Sequence, residues 1–137
     1  MPLPTAHEAL IHLMVITSAS DRDMTDRELA RIGEVVRSWP IFEDFDDRKL
    51  IGIAQNCQHL LHEEAGLAGV LAMARNAIPE HLHDTAYAMA FEVASADMEM
   101  HLDEVRVLKL LRRHLGIDAA AIEAIERATK ARHRALT

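Results

Sequence analysis

Apolar residues recur every three to four positions along almost the whole chain, which is the period of buried helix faces. Leu10, Leu13, Val15, Ile16 and Ala19 predict a first helix over about 6–19. That helix is apolar nearly all round, so it belongs at the centre of the fold. Thr5-Ala-His-Glu8 reads as its capping box. A second box, Thr25-Asp-Arg-Glu28, opens a helix with Leu29, Ile32, Val35 and Val36 on its buried stripe. It should end near Trp39-Pro40, because proline disfavours helical backbone in the residue before it. Leu50, Ile53, Ala54, Cys57, Leu60 and Leu61 predict a third helix, capped by Asp46 and running to about Glu64. Gly66 marks a break before a short fourth helix with Leu67, Val70, Leu71 and Ala74. Pro79 suits the first turn of a fifth helix. That helix should run to about Ala96, with Leu82, Ala86, Met89, Ala90 and Val93 inward. A sixth, about 102–114, should bury Val105, Leu108, Leu111 and Leu115, and end at a left-handed Gly116. Asp118 should cap a seventh with Ala121, Ile122 and Ile125 facing in. Arg127, Lys130, Arg132 and Arg134 lie toward its end, where cations suit the helix dipole. Trp39, Phe42 and Phe45 read as core plugs at a helix junction. No stretch alternates as a strand would. The expectation is an all-α bundle of about seven helices.

The pattern also repeats. Ala19-Ser-Asp-Arg-Asp-Met-Thr-Asp-Arg-Glu-Leu29 returns 76 residues later as Ser95-Ala-Asp-Met-Glu-Met-His-Leu-Asp-Glu-Val105. Asp21 matches Asp97, Asp23 matches Glu99, Met24 matches Met100 and Glu28 matches Glu104. The same offset carries the first helix onto the fifth, the second onto the sixth and the third onto the seventh. A recurring unit of this kind signals duplication. The expected organisation is a single domain over 1–137. It would hold two three-helix repeats, about 5–64 and 80–137, joined by a crossover helix at about 66–76 and related by an approximate two-fold axis.

The core must be built from aliphatic residues, because aromatics are 4% of the chain while hydrophobic residues are 50%. With 27% charged residues, disorder is not expected. A formal charge of −7 speaks against nucleic acid and favours cations or basic protein surfaces. A second copy of the chain is among the candidate protein partners. Cys57 is the only cysteine, so no internal disulfide and no cysteine-based zinc site is expected. The longest apolar stretch, Ala9 to Ala19, is too short to span a bilayer, and no signal-peptide pattern opens the chain. A cytoplasmic protein is expected.

The chemistry lies in the two acidic loops. Asp21 and Asp97 fall where a helix ends, and the last carbonyls there already carry partial negative charge. Asp23 and Glu99 add to the repulsion. Something positive should offset it: the next helix N-terminus, a basic side chain such as Arg22, Arg27 or Arg31, or a bound cation. Carboxylate-only ligands suit Ca²⁺, Mg²⁺ or Mn²⁺. The candidate metal residues are Asp21, Asp23, Glu28, Asp97, Glu99 and Glu104. The spacing is not that of an EF-hand, which needs glycine at its sixth position and glutamate at its twelfth. The competing reading makes these acids helix caps alone. Parallel first and fifth helices would bring all six together. Antiparallel ones would leave two half-sites.

Other groupings carry less. His59 and His62 lie on one face near the end of a helix and read as solvated. His81 and His83 point apart. His101 stands where the first copy has Thr25 and reads as its N-cap substitute. Met73, Met89, Met98 and Met100 read as packing. Cys57 reads as an inert core thiol. No phosphate loop, nucleophile elbow or nucleophile–base pair is present, so no enzyme is expected and no catalytic or cofactor-binding residue is assigned.

The duplicated motif, with its helix-ending Asp, short loop and Glu in the next helix, resembles the TerB-like family of tellurite-resistance proteins. Their domain also occurs in some membrane-anchored J-domain co-chaperones. The likeness covers nearly the whole chain in helix order and length. It implies a seven-helix bundle with an internal two-fold and a stress-response or scaffold role. It also implies a metal or interaction site mapping to Asp21, Glu28, Asp97 and Glu104. One departure stands out: the family often has glycine after the motif Asp, and here Arg22 and Met98 occupy those places. Were positive φ needed there, each would cost about 1 kcal/mol.

Overall fold

The computed structural model describes residues 4–19, 23–95 and 100–136. Seven helices follow one another: α1 (Ala6–Ala19), α2 (Asp26–Ser38), α3 (Leu50–Leu61), α4 (Gly66–Ala77), α5 (His83–Ala94), α6 (Leu102–Leu115) and α7 (Ala119–Arg132). No strand occurs among the described residues. The all-α architecture expected from the apolar period is the one the chain adopts.

α1 starts where its capping box dictates. Glu8 N–H donates to Thr5 Oγ1 at 3.1 Å, and Thr5 N–H donates back to Glu8 Oε1 at 2.9 Å. From Ala9 to Ala19 every residue is buried. A helix without a polar face has no side to give to water, so the other helices enclose it. α2, α3, α4, α5 and α6 all pack on it. Burial includes polar groups. Thr17 Oγ1 donates to the Leu13 carbonyl at 2.7 Å. His12 is 2% exposed, and its Nδ1 has no hydrogen-bond partner among the described residues.

α2 stops where Pro40 requires it to. Trp39 is extended, at φ −81° and ψ 133°, and Pro40 begins a 3-10 turn. Phe42 is buried there and stacks on His7 with ring centroids 5.3 Å apart, while Phe45 meets His7 edge-on. Asp46 caps a second 3-10 turn, Asp47–Lys49, rather than α3 itself. α3 ends at Leu61, short of the expected Glu64. The chain reverses through Gly66, whose φ of +48° no helix can continue through from α3. A 3-10 turn over Glu80–Leu82 follows Pro79, so α5 proper begins at His83 and ends at Ala94. Ala96 lies outside the described residues.

In α6 the buried stripe is Glu104, Val107, Leu108, Leu111 and Leu115, and the expected Val105 is only half-buried at its edge. Gly116 ends α6 in the left-handed region at φ +63°, with the Ile117 N–H donating to the Arg112 carbonyl at 3.2 Å. Asp118 then caps α7, accepting from the Ala121 N–H at 2.8 Å. α7 lies mainly on α5. Ile122 and Ile125 pack half-buried against the core, Ala121 is half-buried without joining it, and Thr129 is the buried residue of α7.

Candidate functional site

The two acidic junctions precede α2 and α6. At the first, Thr25 is the N-cap in extended conformation, and Glu28 occupies the third helical position. Glu28 N–H donates to Thr25 Oγ1 at 3.1 Å. Thr25 N–H donates to Glu28 Oε1 at 2.9 Å, and the Thr25 hydroxyl donates to the same oxygen at 3.1 Å. The Glu28 carboxylate is therefore drawn back over the loop that precedes the helix. Asp23 is exposed in that loop.

The second junction repeats the arrangement. His101 is the extended N-cap of α6, and its N–H donates to Glu104 Oε1 at 3.2 Å. Glu104 is 8% exposed, which sets it apart from Glu28. The cap role read for His101 is where the backbone puts it. Asp21, Asp97 and Glu99 lie outside the described residues, as does Met98. Among the described residues, no three His, Cys, Asp or Glu side chains gather into a set that would hold a metal ion. Asp23, Glu28 and Glu104 are thus not one cluster by themselves.

The remaining histidines and the thiol have local explanations. His59 and His62 are exposed around the end of α3. His83 sits with its ring nitrogens against the Ile78 and Leu115 carbonyls, at 2.9 and 3.2 Å, closing the start of α5 against the end of α6. Cys57 is fully buried beside the His12 carbonyl, and burial pushes its thiol up to about 12, so it is not a nucleophile. Met89 is core, and Met73 and Met100 are half-buried.

A polar cluster that sequence reasoning missed joins α5, α6 and α7. Tyr87 is fully buried. Its hydroxyl donates to Glu126 Oε2 at 2.7 Å and accepts from Arg112 Nε at 2.8 Å. Arg112 also pairs directly with Glu126 and lies 5.6 Å from the centre of the Tyr87 ring. Burial, with the Glu126 carboxylate beside it, pushes the phenol well above its usual range, so it stays protonated as a donor. These residues carry no common spacing in the sequence, and Tyr87 falls on the face of α5 opposite Met89. A second group ties the ends of α5 and α7. Glu92 accepts from Arg132 Nη2 at 2.8 Å and contacts His133 Nε2. Burial pushes the Glu92 carboxyl up, but its two basic neighbours outweigh that and hold it below the usual carboxylate range.

No helix among the described residues is long and apolar enough to cross a membrane. The chain has no match among curated proteins and none among solved structures. The family model described as tellurite resistance protein TerB matches residues 7–127, from the first turn of α1 into α7. With nearly every helix inside that match, the chain belongs to the TerB family of tellurite resistance proteins.

Proposed function

We propose that this protein is a non-enzymatic, cytoplasmic helical module of the tellurite-resistance type, whose two acidic junctions each bind a divalent cation. The ligands are Asp21, Asp23 and Glu28 at one junction, and Asp97, Glu99 and Glu104 at the other. The observation that carries the proposal is the shared posture of Glu28 and Glu104. Each is held by a hydrogen bond from its N-cap backbone N–H, so its carboxylate is turned back to the N-terminal end of its helix. A cap bond of this kind orders a ligand before the ion arrives, which lowers the entropy cost of binding. Carboxylates and water would complete the shell of a hard cation such as Ca²⁺, Mg²⁺ or Mn²⁺. Three carboxylates per half-site favour weak binding.

The duplication belongs to the same proposal: two repeats, about 5–64 and 80–137, with α4 as the crossover and a two-fold axis between α1 and α5. Its support is the recurrence of N-cap and third-position glutamate at the start of α2 and α6. Superposing residues 6–37 on 82–113 tests it. Unrelated crossing angles in the two helix pairs would refute it.

A second reading makes the module a protein-interaction scaffold for basic partners or for another copy of itself. The completeness of the Thr25–Glu28 capping box favours it, since the glutamate already has a structural task. Thermal melting with CaCl₂ or MnCl₂ up to millimolar concentration separates the two. A cation site stabilises by about 2.7 kcal/mol at a hundredfold excess over Kd. Asp97→Asn should remove one half-site's share and the Asp21→Asn/Asp97→Asn pair all of it. A flat wild-type titration removes the cation and leaves the scaffold.

A further inference from the structure

The last helix is attached to the bundle unlike the first. α1 is buried from Ala9 to its end, whereas Thr129 is the buried residue of α7, whose Ile122 and Ile125 are half-exposed and whose Ala124 and Ala128 are exposed. α7 rests chiefly on α5. Between it and Trp39 lies an open hollow of about 500 Å³, bordered by Ala88, Ile125 and Ala128. Two carboxylate clamps fasten it: Glu126 to Tyr87 and Arg112, and Glu92 to Arg132 and His133. The outer clamp is wet, with the Arg132 side chain 52% exposed. The chain enters α7 through Gly116, which already uses the left-handed backbone region. The family match ends at residue 127, so Glu126 lies inside it and Arg132 and His133 lie beyond it.

We propose that α7 is a hinged cover: it opens as a unit about residues 116–118 while α1–α6 stay folded, and uncovers the α5 face around Tyr87, Ala88 and Glu92. Segments with few buried apolar contacts open at lower free energy than the core. The outer clamp supplies position at modest cost to opening, because Arg132 is half in water, whereas the inner clamp on buried Tyr87 holds α7 more firmly. When the cover lifts, Glu126 leaves with α7, while Arg112 stays on the Tyr87 hydroxyl and Glu92 stays on α5, so the exposed face is amphipathic rather than simply apolar.

Hydrogen exchange on the full chain, read helix by helix by mass spectrometry, tests this. Undocked, a helix of 14 residues is marginal in water and loses its backbone bonds together, so the expected result is one common, lower protection across residues 123–132, with α1 and α5 exchanging at least about tenfold more slowly. Glu92→Gln should speed α7 exchange about two- to fivefold, the worth of an ion pair with one half-exposed partner, and leave α1 unchanged. Raised salt should act in the same direction on the wild type and less on Glu92→Gln. Protection equal to that of α1 would overturn the proposal. So would a gradient rising steadily from Arg132 back to Ala121, which is fraying and not a hinge, or a Glu92→Gln effect shared equally by all helices.

Discussion

Replacing Tyr87 by phenylalanine tests the polar cluster that ties α5, α6 and α7. Phenylalanine keeps the ring, the volume and the Arg112 contact over its face. What is lost is the hydroxyl, with its bond from Arg112 Nε at 2.8 Å and its bond to Glu126 Oε2 at 2.7 Å. Hydrogen bonds to charged partners are worth about 1.5–3 kcal/mol each. The full sum does not apply here. Arg112 and Glu126 still pair with each other, and their side chains are 32% and 20% exposed, so water can take over the vacated positions. The expected net loss is therefore about 1–2 kcal/mol, near the worth of one such bond. Urea denaturation followed by circular dichroism should show a lower midpoint with an unchanged m-value. Heating should show a melting temperature lower by about 3–6 °C for a chain of this size. A loss below about 0.5 kcal/mol would mean that the hydroxyl gains nothing over its bonds to water, and the cluster would not be the fastening described here. A loss above about 4 kcal/mol would mean that Arg112 and Glu126 depend on the hydroxyl and cannot be rehydrated without it.

Three further outcomes are expected. Leu13→Ala in α1 and Leu108→Ala in α6 should each cost about 2–5 kcal/mol in denaturant, as buried leucines do; near-zero effects would contradict the burial of both. Gly116→Ala should cost about 1 kcal/mol from backbone alone, since φ is +63° and a Cβ there meets nothing within 4 Å; a neutral result would mean the left-handed turn is not needed. His12 supplies a pH dependence. Burial lowers its pKa below 6.5, partly countered by Glu8. The unfolded chain therefore takes up a proton before the folded one does. Stability is fully present above the unfolded value and falls as pH drops through it toward the folded value. His12→Leu should flatten that acid-side slope by as much as one proton's worth. An unchanged slope would place the linkage elsewhere.

Much of this protein was legible from local rules. Helix type and order follow from the apolar period, because burying one stripe per helix is the dominant favourable term in folding. Several boundaries follow from single residues whose constraint is covalent: Pro40 acting on Trp39, and Gly116 with no Cβ to clash. The Thr5–Glu8 and Thr25–Glu28 boxes lie within one helical turn, so sequence spacing fixes their partners. The central position of α1 follows too, since a helix without a polar face must be enclosed.

Tertiary structure decided the rest. Val107 rather than Val105 entered the core because the bundle sets which edge of a wide stripe its neighbours cover. α3 stopped early because the chain had to reverse into α4. The buried state of His12 and its unpartnered Nδ1 depend on all five helices that surround α1. The Tyr87–Arg112–Glu126 cluster joins residues from three helices with no local spacing between them, so it exists only once α5, α6 and α7 have docked. The acidic loops sit between these cases. Their repetition is written in the chain, and the cap bonds of Glu28 and Glu104 are local. Whether the two loops meet or stay apart depends on how helix ends lie in space, which no short-range pattern encodes.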